Sequence, residues 1–454
     1  MSQDRDVWLQ INKIRRSRLR FQQERPGNFV LTGFFSFSKI YTRMTLNHIL
    51  IAPQPAVPVR KLPKNKRVQS IDLLRGIVMI IMAIDHVRDF FHRDAFLYDP
   101  TDLNQTSVPL FLTRWITHYC APVFVFLAGI SAHLYGVKKS KKELSFFLFT
   151  RGIWLVLAEA FIVTLGTSFN PTYPYFNLQV IWAIGICMIV LAGIIHLKPG
   201  AILFTGLLLI AAHNLLDNFH VTGSGPFSVI WSFLHEPGSF VVGGRTFLIR
   251  YPLLPWIGII TIGYYLGRFY RPEYDPAMRK RLFFLLGAGA LLLFLFLRSV
   301  NLYGDAAPWS VQDTAIFSFL SFINVTKYPP SLLYTLLTLG PALIFLAFSE
   351  RPLNNLTEKI SVFGRVPMFY YLAHMYLIHG LAVAAAAVAG FRASDMVFLP
   401  TRVNAVPALK GYGFELVFVY MVWALVILLL YPLCKWFDRY KRANVQKKWW
   451  LSYL

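Results

Sequence analysis

The chain has 454 residues, 56% hydrophobic, 16% aromatic and only 15% charged, with a formal net charge of +23. Its apolar residues fall in blocks about 20 long that no soluble domain would have a partner to bury, which excludes a soluble protein and leaves a polytopic α-helical membrane protein. The positive charge is spread over the connections between blocks, as expected of a chain oriented in a lipid bilayer, and this argues against a nucleic-acid partner.

In chain order, residues 1–66 read as a basic, disordered cytoplasmic arm without the apolar core of a cleavable signal peptide. Ten apolar blocks follow, at 70–92, 109–136, 144–166, 177–196, 199–216, 251–270, 281–299, 329–348, 364–389 and 414–436. They predict an all-α fold, one bundle of ten transmembrane helices spanning residues 67–440. A cytoplasmic interfacial tail follows at 441–454, where Lys447, Lys448, Trp449 and Trp450 suit the headgroup layer. With the N-terminus inside, the inner connections hold 24 lysines and arginines between Arg60 and Lys448, against 8 outside: Arg93, Arg245, Arg250, Arg298, Lys327, Arg392, Arg402 and Lys410. Both termini are therefore expected in the cytoplasm. The outer connections at 217–250, 300–328 and 390–413 are long enough for lids or binding loops, and the first contains a short apolar segment. Cys120, Cys187 and Cys434 all fall in predicted spans, so no disulfide framework is expected.

The polar residues inside the spans carry the chemistry. Arg75 and His86 lie eleven residues apart in the first block, three helical turns plus about 20°, hence on one face and roughly 16 Å apart along the axis. Titratable groups at that depth are costly unless paired or lining a cavity. Two layers result. Arg75 and Arg151, with Arg365 at the inner end of the ninth block, form a cationic layer near the cytoplasm. Asp85, His86, Arg88, Asp89, His92, Arg114 and His118 form a layer toward the outside, with Glu159, His374 and His379 deeper in the bundle. The arrangement suits group transfer across the bilayer. The cationic layer would hold the phosphates of an acyl-CoA, while His86 removes a proton from an acceptor amine or hydroxyl attacking the thioester. Asp89, at i+3, is placed to orient His86, and His92 and His118 are second choices as base or acceptor contacts. The bland alternative for the same residues is a set of ion pairs, Asp85 with Arg88 or Asp89, or Arg88 with Asp89 and Arg114, holding the outer helix ends. A metal site is not expected: no two histidines have His-x-x-x-His spacing, and the i+5 step from His374 to His379 splays the rings by about 140°.

Four segments carry a resemblance: Ser70-Ile71-Asp72-Leu73-Leu74-Arg75-Gly76, Ala121-Pro122-Val123-Phe124-Val125-Phe126-Leu127-Ala128-Gly129, Tyr251-Pro252-Leu253-Leu254-Pro255-Trp256 and Phe363-Gly364-Arg365-Val366-Pro367. Over about residues 68–440 the chain resembles the bacterial branch of the heparan-alpha-glucosaminide N-acetyltransferase family. The resemblance implies a transmembrane acyltransferase of a bacterial inner membrane that uses acetyl-CoA as acyl donor and a glycan or small-molecule acceptor on the far side. The Arg75 to His86 spacing is also similar to that of the acyltransferase-three membrane O-acyltransferases, where the histidine is held to be catalytic and arginines to meet CoA. The chain departs from the lysosomal enzyme, which has asparagine at the position of His86, a catalytic histidine at about Leu97, and an aspartate at the position of His118. The rival reading is a proton-coupled transporter or flippase-like carrier built on the same buried groups, and a third is an assembly partner without catalysis. Acceptor, acyl chain and any homo-oligomer are left open.

Overall fold

The structure is a computed structural model that describes residues 68–95, 97–223, 225–397 and 406–453; the basic arm at 1–66 and Arg402 lie outside the described residues. A helix occupies each of the ten apolar blocks. The first is α1 (Gln69–Phe91). The second block splits into α2 (Val108–Thr117) and α3 (Cys120–Gly136), with His118 at the break. In the third, α4 (Lys141–Leu157) runs through a π-helical turn, Ala158–Val163, into α5 (Thr164–Ser168). Then come α6 (Val180–Ile194) and α7 (Pro199–Ala212), the latter ending in a 3-10 turn, His213–Leu216. Among the described residues, six helical segments are long and apolar enough to cross a membrane: Val108–Gly136, Lys141–Ser168, Pro199–Leu216, Pro276–Val300, Pro367–Val388 and Leu416–Asn444. In α1 the apolar run is interrupted by Asp72, Arg75, Asp85, Arg88 and Asp89, and most of the helix is buried among its neighbours.

The connection at 217–250 adds a small sheet to the otherwise helical fold. That segment holds a short helix, α8 (Pro226–Leu234), followed by two strands that pair with a third at the start of the fourth block. Strand β1 (Tyr175–Leu178) lies parallel to β3 (Arg245–Ile249), and β2 (Gly238–Val242) lies antiparallel to β3. The hairpin turn is Gly243-Gly244, with φ of 57° and 74°, the pair of left-handed residues that a type I′ turn requires and that glycine supplies at least cost. Across the sheet Phe240 and Phe176 both sit opposite Phe247, with ring centroids 5.1 and 4.8 Å away. Such cross-strand aromatic pairs fix register.

The remaining helices are α9 (Leu253–Leu266), α10 (Pro276–Val300), α11 (Ala315–Ile323), α12 (Leu332–Phe348), α13 (Asn355–Arg365), α14 (Pro367–Val388), α15 (Ala393–Met396) and α16 (Leu416–Asn444). Arg298, an outer-loop charge by sequence, is 1% exposed. Its guanidinium donates to the carbonyls of Phe322, Ala307, Ser321 and Asn324 at 2.6–3.0 Å. A cation that takes up the last carbonyls of α11 is a helix stop, not a site.

Helix α13 is unanticipated, and it packs on α1. Asn354 and Thr357 form a capping box at its start. Its far end crosses α1 so closely that a methyl group on Gly364 would run into the Asp72 carbonyl and the Gly76 amide, and one on Gly76 into the Ile360 carbonyl. From the other side Trp423 of α16 donates its indole N–H to the Ile80 carbonyl at 2.8 Å. Gly364→Ala is therefore expected to cost about 1–3 kcal/mol through overpacking. Gly289→Ala, in α10 where an added methyl meets nothing within 4 Å, should be neutral or slightly stabilising. Melting midpoints of the purified variants in detergent check both.

Candidate active site

A carboxylate carried into an apolar bundle has to be paired, because its desolvation costs several kcal/mol. Asp85 is one turn before Arg88 on α1, and Arg88 Nη1 lies 3.0 Å from its Oδ1. Arg114, brought in by α2, binds the other oxygen, Oδ2. Arg88 then reaches Asp89 Oδ1 with Nη2 at 2.8 Å. The sequence thus builds a chain of alternating charges, Asp89, Arg88, Asp85 and Arg114, that fastens α2 to α1. Asp89 bonds Arg88, and no hydrogen bond joins it to His86 among the described residues.

His86 points away from that chain, toward α14. Its ring meets His374 edge-on, with centroids 5.1 Å apart, and Tyr371 at 6.4 Å. His374 is fully buried and stacked flat on Tyr370. Its Nδ1 lies 3.1 Å from the Tyr370 carbonyl oxygen. A carbonyl only accepts, so Nδ1 carries the proton and Nε2 the lone pair; Nε2 is buried and has no hydrogen-bond partner among the described residues.

His86 and the four charged residues line a cavity of about 630 Å³. Its other walls come from the sheet, through Tyr175, Asn177, Thr246, Leu248 and Arg250, and from Tyr251, Lys327 and Tyr328. The connection bearing Lys327 and Tyr328 is tied down by Asp305, which accepts from the Thr326 amide and hydroxyl and from the Ser331 hydroxyl at 2.6–2.9 Å. Lys327 is 7% exposed and its ammonium stands 5.2 Å from the Tyr328 ring centre. Arg250 donates to the Asn177 side chain at 3.1 Å. Among the described residues neither of these two cations has a carboxylate partner. A volume of this size with a few convergent polar groups suits a small ligand.

The other expected site residues fall elsewhere. His92 does not line the cavity: it ends α1, and its Nδ1 accepts from the Asp94 amide at 3.2 Å. His118 lies behind the wall, edge-on to Tyr334, whose hydroxyl donates to the His118 carbonyl at 2.6 Å. Glu159 sits fully buried in the π-helical turn and accepts from the Trp182 amide at 3.1 Å, so it caps α6 from a neighbouring helix. At the opposite end of α1, Arg75 donates to Ser131 Oγ at 2.8 Å and to the Gly364 carbonyl at 3.2 Å. Arg151 lies 6.0 Å from the ring centres of both Phe147 and Tyr453. Arg365 is engaged by Asp438 at 2.9 Å and Glu358 at 3.0 Å, which makes it a clamp between α13 and α16.

Sequence reasoning missed Lys327, Tyr328, Tyr251 and the sheet residues as lining, because each belongs to a connection or the first residues of a block, whose path only the fold supplies. The Tyr251-Pro252 segment was the one available signal. His374 was singled out as deep in the bundle, but its pairing with His86 was not.

Among curated proteins, none matches the chain. The family described as heparan-alpha-glucosaminide N-acetyltransferase, catalytic, matches residues 67–299, just over half of the 454. The matched span carries His86, the ion-pair chain, Arg75, Arg151 and the sheet, while Lys327 and His374 lie beyond it. The chain belongs to the heparan-alpha-glucosaminide N-acetyltransferase catalytic family.

Proposed function

We propose that this protein is a ten-span membrane acetyltransferase that takes an acetyl group from acetyl-CoA at the cytoplasmic end of the bundle. It passes the group to an amine or hydroxyl of a glycan or related acceptor in the cavity at the outer face. The observation that carries this reading is His86, a titratable ring at the wall of a polar cavity, on the face of α1 that bears Arg75 three turns away. Arg75 and Arg151 meet the phosphates, and the thin pantetheine arm covers the roughly 16 Å between the layers. Arg365, committed to two carboxylates, supports that end of the bundle instead.

In the transfer, His86 takes the proton of the acceptor N–H or O–H as the nitrogen or oxygen attacks the thioester carbonyl carbon. The C–S bond breaks, and the thiolate leaves and recovers a proton as free CoA. Lys327 and Arg114 flank the cavity where oxyanion charge develops. His374 is a positioning residue, its tautomer fixed by Tyr370 so that a lone pair stands beside His86. Lys327 and Arg250, cations without carboxylate partners among the described residues, favour an acceptor that carries an anionic group.

Detergent-purified protein should show a rise in melting midpoint with acetyl-CoA and release free thiol when offered a panel of amino sugars and glycans. Arg151→Ala should weaken acetyl-CoA binding by about 1.5–3 kcal/mol, the worth of a charge-assisted contact. His86→Ala should keep that binding and lose turnover, and His374→Ala should lower kcat more than it changes KM. Since the base acts neutral, kcat/KM should rise with pH through one titration. Turnover surviving in His86→Ala overturns the role of His86, and gradient-driven uptake in vesicles without CoA overturns the enzyme reading in favour of a carrier.

The orientation follows from the basic connections. In intact cells a Lys139→Cys variant should resist an impermeant thiol reagent and a Leu302→Cys variant should react. The reverse pattern would place the cavity in the cytoplasm.

A further inference from the structure

A second cluster of imidazole and carboxylate groups lies outside the cavity lining, where α7 ends and the sheet segment begins. His213 and Asp217 come from the last turn of α7 and the residue after it, and His235 ends α8. One ligand atom from each lies within 4.8 Å of the other two. His213 is 3% and His235 1% exposed. Among the described residues the His213 ring meets the Pro330 backbone with one nitrogen and has no partner for the other, and Nδ1 of His235 has none. Two buried imidazoles beside one carboxylate, with one nitrogen of each ring unsatisfied, are not explained by packing, since buried polar atoms are otherwise almost always bonded.

The carboxylate is held as a ligand would be. Asn214 donates its amide to Asp217 Oδ2 at 2.8 Å, and that side chain is itself fixed by the Leu332 amide at 2.9 Å. Oδ1 is left facing His235 Nε2 at 3.3 Å, which is the ligand-to-ligand edge of a tetrahedron with bonds of about 2.0–2.1 Å. We propose that His213, Asp217 and His235 form a binding site for a divalent transition ion of the zinc class, with water in a fourth position. Two imidazoles and one carboxylate are a common ligand set for such an ion. The absence of a His-x-x-x-His pair in the sequence does not bear on it, because the i+4 partner of His213 is Asp217 and the third ligand arrives through the fold.

Its effect is mechanical. The ion would fasten the end of α7 to the start of the β2–β3 hairpin, and β3 supplies Thr246 and Leu248 to the cavity wall. The inference stands apart from the acetyltransfer reading, and its readouts involve no acetyl-CoA.

The test uses full-length protein with a tag free of histidine, purified without chelator and then exposed to Zn²⁺ alone. Plasma mass spectrometry should find about one zinc per chain. Chelator-treated protein should melt earlier and recover on adding Zn²⁺, and Co²⁺ should give the intense visible bands of a four-coordinate N/O site. Asn214→Ala should weaken Zn²⁺ binding about 10–100-fold, as loss of an outer-shell partner does, and Asp217→Asn should abolish the melting response. The Co²⁺ spectrum needs no variant, so misfolding of a substituted protein leaves the question answerable. Wild-type protein that binds neither zinc nor cobalt overturns the site and leaves a His–Asp contact only. So does a Zn²⁺ response that survives Asp217→Asn unchanged.

Discussion

Asp85 is a carboxylate inside a bundle of apolar helices, and it remains there because Arg88 and Arg114 hold its two oxygens from different helices. In a medium of low dielectric an unpaired charge would cost more than most single contacts return. That requirement decides how this end of the bundle assembles: α2 must bring Arg114 to α1, and Asp89 must spend its bond on Arg88. His86, one residue after Asp85 and 100° further round the helix, is thereby turned off the ion-pair chain and toward α14. The cavity is the space left between these two sides of α1.

At the other end of α1 the constraint is steric. Gly76 and Gly364 let two backbones touch, and Arg75 donates to the Gly364 carbonyl at that crossing. The arginine that the first-helix motif offers to a phosphate is thus held by α3 and α13 before any ligand arrives. Pre-positioning of this kind lowers the ordering cost of binding. The same helix therefore presents a fixed cation at one end and a histidine over a cavity at the other, at a separation set by helical rise alone.

How much of this was legible in the sequence divides along physical lines. The helix blocks were readable because twenty apolar residues have one solution in lipid, a helix that satisfies its own backbone. His86 and Arg75 were readable because α1 is regular and spacing on a regular helix fixes the face. The sheet was not, since β1 and the hairpin are separated by some sixty residues of helix and loop, and the turn chemistry of Gly243-Gly244 is weak evidence alone. The His374 neighbour of His86 was not legible for a related reason: proximity along one helix cannot say which side chain a third helix will provide. Arg298 shows the opposite error, an apparent outer charge that proves to be the C-terminal stop of α11.

The central claim is that the acetyl group travels from the Arg75 end of the bundle to His86. The most direct measurement is a structure of the protein with an acetyl-CoA analogue whose thioester sulfur is replaced by a methylene. The claim predicts the phosphates beside Arg75 and Arg151, the arm running along α1, and the acyl carbonyl close enough to His86 for an acceptor atom at about 3–3.5 Å from it to share its proton with the ring. Phosphates bound instead at Arg250 and Lys327, or an acyl group that stops at the cytoplasmic surface, would contradict it.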